Sequence, residues 1–196
     1  MHLKNLFILP VLVVFSSAVW AQGFFMSIEG TFGRHNVEFK EYASSPGMSF
    51  GFKVSAGFLI AEAGNYRGGP QYTLVEGASF SKNSRQLSED FDLPNKDYDK
   101  HIVYNFAMFR SSNVGWASFI EVGGATLYHH LGFGIFGLTE NDPLFNFGIH
   151  NQLGLQFGQK AYQWRLGLMH DWTIGNGNPN YSISNLGLNV GVGRII

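Results

Sequence analysis

Residues 161–196 constrain the fold of this chain more than any other stretch, because they contain two runs of alternating side chains around one turn. Successive side chains of a β-strand point to opposite faces, so an apolar residue at every second position indicates a half-apolar strand. The residues on the two apolar faces are Tyr162, Trp164, Leu166 and Leu168 in the first run and Leu186, Leu188, Val190 and Val192 in the second. The pattern predicts a β-hairpin with one apolar face.

One ionisable residue interrupts this apolar face. His170 follows Leu168 at the next outward position of the first run, and Trp172 continues the same face towards the turn. The row that carries His170 is otherwise apolar, which makes this histidine the first candidate functional residue of the chain.

The N-terminal residues have the features of a signal peptide. Lys4 supplies a positive charge, residues 6–15 form an apolar core, and Val19-Trp20-Ala21 provides a cleavage site. An apolar core of about ten residues is too short to span a bilayer. We therefore expect residues 1–21 to be removed and residues 22–196 to form one exported domain.

The composition excludes several classes of protein. The chain has 25 Gly and 19 Phe but no Cys, and glycines and aromatic residues interleaved with polar ones are typical of β proteins. Its formal net charge is −1, so no basic patch indicates a nucleic-acid partner. No later stretch approaches roughly 18 consecutive apolar residues, so the sequence predicts no transmembrane helix.

Eight segments of the chain alternate and predict eight strands. In the second segment, the even-numbered residues from Met48 to Ile60 are apolar, whereas most odd-numbered residues are small or polar. We expect this even-numbered face, with Phe50, Phe52 and Val54, to contact lipid. The eight segments are 23–33, 48–60, 70–80, 101–111, 116–127, 143–158, 161–173 and 183–195.

The connections between these segments alternate between long and short. Long polar loops are predicted at 34–47, 81–100, 128–142 and 174–182, and short turns include 112–115 and 159–160. An even number of strands with short turns at one end and long loops at the other is typical of outer-membrane barrels. A soluble β-sandwich would also alternate, but its outer faces would carry solvated charges rather than Gly, Ser and Asn.

The sequence therefore predicts an all-β fold, an eight-stranded antiparallel transmembrane β-barrel in the bacterial outer membrane. Both termini would lie in the periplasm, and the long loops, including the charged loop 81–100, would lie outside the cell. Membrane lipids are the expected surroundings of such a barrel, and the oligomeric state is left open.

The polar faces of the segments predict a network inside the barrel. Glu29, Lys53, Glu121, His150 and Arg165 share the parity of the Gly and Ser residues and include both signs of charge. Buried charges require partners, so these side chains are expected to bond one another in the lumen. A barrel of eight strands leaves no open aqueous channel, which argues against a pore.

The motifs of common catalytic and metal sites are missing from the sequence. The histidines show no metal-ligand spacing, no glycine-rich phosphate loop or nucleophile elbow occurs in a suitable context, and no cofactor is predicted. His129-His130 is placed at the start of a loop and interpreted as solvated. Ser184 has the same outward parity as His170, and a hydroxyl beside an imidazole is the minimal pair for nucleophilic acyl transfer. The alternative is a histidine at the membrane interface, where the cost of polarity is small.

The last part of the chain resembles the PagL-like lipid A 3-O-deacylases, which are eight-stranded outer-membrane barrels that hydrolyse an ester of lipid A. The similarity runs from FIEVGG (119–124) through FNFGIHNQLGLQFG (145–158) to the final hairpin. The family signature is His-x-Ser-Asn-x-Gly, then Pro-Asn, then an acidic residue on the next strand. His170 corresponds to the signature histidine, and the resemblance implies a site on the outer wall of the barrel.

Several positions depart from the signature. The residues that fall on it after the histidine are Trp172 at the serine position, Thr173 at the asparagine position, Gly175, Pro179-Asn180, and Ser184 at the acidic position. Asp171 is adjacent to the histidine, but its parity points it into the lumen.

Two functions follow from these residues. In the first, the barrel hydrolyses an ester of lipid A with His170 as base and Ser184 as nucleophile. In the second, it is a non-catalytic barrel that binds lipid A or lipopolysaccharide or serves the envelope structurally. Trp172, an amphipathic residue at the height of the interface, favours the second.

Overall fold

The computed structural model describes residues 22–39, 47–85, 101–138, 144–159, 162–175 and 181–196. The predicted signal peptide and parts of the predicted loops lie outside them. No helix long and apolar enough to cross a membrane occurs in these ranges. The strands are β1 (Gly23–Phe39), β2 (Gly47–Leu59), β3 (Ala61–Ala63), β4 (Tyr66–Arg85), β5 (His101–Val122), β6 (Ala125–Leu138), β7 (Leu144–Gln159), β8 (Tyr162–Gly175) and β9 (Tyr181–Ile195).

All strands belong to one closed antiparallel sheet. The order is β2-β1-β9-β8-β7-β6-β5-β4-β3, and pairing between β2 and β4 closes the sheet. The short β3 follows β2 after Ile60 and pairs with the start of β4, so β2 and β3 together occupy one place in the wall. The predicted eight-stranded antiparallel barrel is confirmed. Closure leaves no long unpaired strand edge.

The two ends of the barrel differ. Tight turns at Gly64-Asn65 and Gly123-Gly124 lie at one end, where positive φ angles at Gly64, Gly123 and Gly124 suit glycine. The chain termini of the barrel meet at the same end, where Phe24 N donates to Ile196 O at 2.9 Å. We call it the turn end. The longer connections 40–46, 86–100, 139–143 and 176–180 leave from the opposite end, the loop end.

Two predicted boundaries in the middle of the chain are wrong. The predicted turn 112–115 lies inside β5, which joins the segment 101–111 to most of the segment 116–127. The last residues of that segment and most of the predicted loop 128–142 form β6. Small and polar residues are typical of loops, but here they allow neighbouring strands to approach each other closely. A Cβ on Gly134 would lie 2.0 Å from Ser112 O. Strands also extend into the predicted loops 34–47, 81–100 and 174–182.

The exterior of the barrel is apolar around its circumference. Phe50, Phe52 and Val54 of β2 are 49%, 47% and 36% exposed, so the predicted outward register of this strand is confirmed. The same parity exposes Leu166 and Leu168 of β8. A closed barrel with a continuous apolar exterior is suited to surrounding lipid rather than water. We therefore call this exterior the lipid-facing wall.

A charged cluster fills the middle of the lumen. Glu29, Lys53 and Arg165 bond one another there, as predicted. The Glu29 carboxylate forms ion pairs with Lys53 Nζ at 2.8 Å and with Arg165 Nη1 at 3.4 Å, and all three side chains are buried. Gln152 Nε2 donates to Glu29 Oε2 at 2.8 Å and to Tyr128 OH at 2.6 Å. Glu121 is the exception. It lies beside the turn end, is 58% exposed and pairs with Arg67 instead.

A second polar group lies closer to the loop end of the lumen. His150 Nδ1 is 2.5 Å from Asp171 Oδ1, and Asn185 Nδ2 donates to the other carboxylate oxygen at 3.4 Å. The lumen-facing directions predicted for His150 and Asp171 are confirmed. The interpretation of His129-His130 as a solvated loop is wrong, because both lie in β6 and His130 is buried beside His150.

Candidate functional site

The outward face of the β8–β9 hairpin brings His170 and Ser184 close together. His170 is directly opposite Leu186, and Trp172 is directly opposite Ser184, so His170 and Ser184 are diagonal neighbours on adjacent strands. Diagonal pairs on one face are about 7–8 Å apart at Cα, with their Cβ atoms somewhat closer. Both side chains are half-buried and face the lipid side.

A groove of about 360 Å³ includes both residues. It is lined by Asn36, His170, Trp172, Ser182, Ile183 and Ser184, and Asn36 of β1 lies directly opposite Ser184. We call it the polar groove. Within the described residues, neither His170 nor Ser184 forms a hydrogen bond to another side chain or to the backbone outside the strand ladder. Their polar atoms are therefore available to a bound molecule.

A second groove, of about 520 Å³, adjoins the first one towards the turn end. We call it the apolar groove. Its lining consists of Phe32, Gly33, Arg34, Gly47, Met48, Leu168, Leu186, Gly187 and Leu188. The two grooves meet at the pair His170–Leu186, since these residues are directly opposite each other. Arg34 lies opposite Leu186 on β1 and has no ion-pair partner among the described residues.

Two further polar residues extend this site across the neighbouring strands. Asn151 of β7 lies directly opposite His170, and His129 of β6 places Nε2 2.9 Å from Asn151 Oδ1. Ser184, His170, Asn151 and His129 thus form an outward polar row on four consecutive strands. We call these four residues the polar row. No three His, Asp or Glu side chains among the described residues are arranged to hold a metal ion.

Sequence reasoning missed both Asn151 and His129. Asn151 shares its parity with the apolar residues of β7, so the break in that face was a usable signal. The predicted loop 128–142 conceals His129, which lies in β6. Leu127 and Leu131 flank it on the same face of β6, and this alternation would have revealed the strand.

The other positions of the family signature have different surroundings. Trp172 is 53% exposed and lines the polar groove, so it faces lipid beside the candidate pair. Thr173 is buried on the lumen side, where its Oγ1 accepts from Ile183 N at 2.9 Å and donates to Ile183 O at 3.2 Å. Gly175 ends β8. Pro179 and Asn180 lie outside the described residues.

Comparisons with known proteins bear on the fold. No protein-family model matches the chain, and no curated protein sequence matches it. The crystal structure of the outer membrane protein OprG from Pseudomonas aeruginosa is 9% identical, with 90% of this chain and 96% of that chain covered and a TM-score of 0.51.

Two more outer-membrane barrels are similar at lower scores. Neisserial surface protein A is 13% identical over 86% of this chain and 96% of its own, with a TM-score of 0.47. Ail, the attachment invasion locus protein of Yersinia pestis, is 12% identical over 86% of this chain and 97% of its own, with a TM-score of 0.41. The resemblance to lipid A 3-O-deacylases stays a prediction from the sequence. The likeness to OprG shows that this chain has the fold of an outer-membrane β-barrel.

Proposed function

We propose that the protein is a bacterial outer-membrane barrel that binds lipid A, the lipid portion of lipopolysaccharide, on its lipid-facing wall. The closed sheet and the apolar exterior support the location. Two-residue turns and both chain ends at the turn end support a periplasmic position for that end, with the loop end outside the cell. In this orientation the polar groove would lie level with the outer leaflet, where lipid A resides.

The adjoining grooves carry the proposal of a lipid ligand. The apolar groove offers Leu168, Leu186 and Leu188 to an acyl chain, and the polar groove offers an imidazole and a hydroxyl to the polar part of the same molecule. Arg34 stands at the edge between them and has no acidic partner in the part of the chain that the structure describes, which suits a phosphate group. An anionic lipid with several acyl chains satisfies all three features.

Binding can be tested by counting the lipid A molecules that remain on the purified protein by native mass spectrometry. Leu186→Trp fills the apolar groove and should remove most of the bound lipid A. Arg34→Gln should weaken retention severalfold, whereas Arg194→Gln, which removes the outward arginine of β9 near the turn end, should leave it unchanged. Equal retention by wild type, Leu186→Trp and Arg34→Gln would show that the grooves do not hold lipid A.

Ester hydrolysis is the second candidate function, because His170 and Ser184 line one groove. Ser184 Oγ would attack an acyl ester carbonyl while its proton passes to His170, and the departing alcohol would take that proton. Water would then release the fatty acid from Ser184 and regenerate the hydroxyl. The two residues are close enough for a change of side-chain rotamer to bring a ring nitrogen towards Oγ.

Mass spectrometry of lipid A from cells with and without the protein tests the hydrolysis. Loss of one acyl chain is expected with the wild type and not with His170→Ala or Ser184→Ala. Ser182→Ala is the matched control, since it removes a hydroxyl of the same groove and should leave the reaction intact. If lipid A has an unchanged mass in cells with the wild-type protein, the hydrolysis is wrong, and lipid binding without catalysis is the function that remains.

A further inference from the structure

A histidine that acts as a base needs a neighbour that holds its ring. An acceptor binds the N–H of one ring nitrogen, so that the other nitrogen stays free to take a proton. The acidic residue that the family signature places on the next strand is replaced by Ser184. The other residue of β9 next to His170 is Leu186, directly opposite it, which carries no acceptor in its side chain.

The strand on the other side of His170 supplies an acceptor. Asn151 of β7 is directly opposite His170 and shares its outward face. Side chains that are directly opposite each other have their Cβ atoms about 4.5–5.5 Å apart, which is within reach of an amide and an imidazole. His170 therefore has a hydroxyl on one side, from β9, and an amide on the other, from β7.

His129 fixes the orientation of that amide. Its Nε2 lies 2.9 Å from Asn151 Oδ1, and when the ring donates this hydrogen bond it determines which end of the amide carries the oxygen. A carbonyl oxygen has two lone pairs, so Oδ1 can accept a second N–H from His170. Both histidines would then share one amide oxygen.

A purely structural role would explain the bond between His129 and Asn151 but not the presence of these residues. Two leucines would fit an apolar face without any polar group to satisfy, since removing both partners of a hydrogen bond is often neutral or stabilising. Leu127, Leu131, Leu153 and Ile149 surround the pair on this face. The bond alone is therefore no sign of function, and the observation that points to one is the position of Asn151 directly opposite His170.

We propose that Asn151, held by His129, is a positioning residue that accepts the N–H of one ring nitrogen of His170 and leaves the other nitrogen towards Ser184. The polar row is then a relay of hydroxyl, imidazole, amide and imidazole across β9, β8, β7 and β6. The role of Asn151 rests on the proposed hydrolysis, in which His170 is the base.

The experiment measures the protonated ring nitrogen of His170 directly. Imidazole ¹⁵N spectra of the full protein in lipid nanodiscs distinguish the two tautomers, and the signals of His170 are identified by their loss in His170→Gln. Release of fatty acid from lipid A is measured on the same samples. The variants are Asn151→Leu, Asn151→Asp as the conservative replacement, and Leu155→Ala as a control on the same face of β7. Heat-dependent migration in electrophoresis shows that each barrel is folded.

The wild type should show one tautomer of His170, and Asn151→Leu should show a mixture. Fatty-acid release should fall about 10- to 100-fold in Asn151→Leu, which is part of what a positioned general base contributes. Asn151→Asp should restore both readouts, and Leu155→Ala should change neither. An identical tautomer in the wild type and Asn151→Leu overturns the role of Asn151, even if the protein hydrolyses lipid A. A tautomer that depends on Asn151 in a protein without hydrolysis overturns the reaction and keeps the positioning.

Discussion

Two polar regions of the lipid-facing wall differ in whether their side chains satisfy one another. On β4 and β5, Arg110 forms an ion pair with Glu76 directly opposite, and Ser112 Oγ donates to Tyr72 OH at 3.0 Å. On β8 and β9, His170 and Ser184 lie in a groove, and no hydrogen bond joins them in the described chain. The first region needs nothing from its surroundings, whereas the second presents unsatisfied polar atoms to the lipid side.

This difference indicates that polarity on the wall is not by itself a sign of function. A polar group that faces hydrocarbon is costly unless it has a partner. The Glu76–Arg110 pair meets this requirement inside the protein and is explained as a structural feature. Ser184 and the ring nitrogen that His170 turns towards it have no such partner among the described residues, so a bound molecule is the partner that the groove lacks.

The largest loss of stability is expected from a change in the charged cluster of the lumen, and changes in the two wall regions should have smaller effects. Glu29→Ala leaves Lys53 and Arg165 buried without their carboxylate, which should lower the free energy of unfolding by about 3–5 kcal/mol. Urea unfolding in detergent micelles measures this loss. Ser27→Ala removes only one hydrogen bond to Glu29 and should cost about 0.5–1.5 kcal/mol. Equal losses in the two variants would show that the charges are solvated rather than mutually dependent.

Breaking the Glu76–Arg110 pair on β4 and β5 should lower the free energy of unfolding by less, again because one charge loses its partner. Glu76→Leu leaves Arg110 unpaired towards lipid and should cost about 1–2 kcal/mol, between the values for the interface and the midplane. The double variant Glu76→Leu/Arg110→Leu should recover most of that loss, since no charge remains. Unfolding in lipid vesicles measures both. A double variant that is less stable than the single one would mean that the ion pair itself stabilises the barrel.

The alternation of side chains was enough to predict much of this fold. In β2, β8 and β9 the apolar and small residues separate by parity, because one face meets lipid and the other meets a crowded lumen. The same parity placed Glu29, Lys53, His150 and Arg165 inside. It also placed His170 and Ser184 on the wall, where the structure joins them in one groove.

The sequence could not give features that depend on register between strands. The sequence predicts a turn at 112–115, whereas in the structure these residues lie within a continuous β5 and pack closely against β6. Which residues of β6 and β7 oppose β8 follows only from the pairing, so the polar row could not be assembled from sequence alone. Glu121 has the parity of the lumen, but its place beside a turn exposes it to solvent.

The smallest predicted effect is a gain in stability. It distinguishes the β8–β9 region from the Glu76–Arg110 pair on β4 and β5, where a single change should lower stability. His170→Leu replaces an unsatisfied polar ring with an apolar side chain in an apolar row, so the free energy of unfolding should rise by about 0.5–1 kcal/mol. The same change should abolish fatty-acid release and weaken lipid A retention, because it removes the polar partner at the junction of the grooves. In contrast, Leu166→Ala on the same face of β8 should lower stability and spare the function. Unfolding in lipid vesicles and native mass spectrometry provide the two measurements. A less stable His170→Leu barrel with normal lipid A retention would mean that His170 serves the fold, and the contrast with Glu76 and Arg110 would then be wrong.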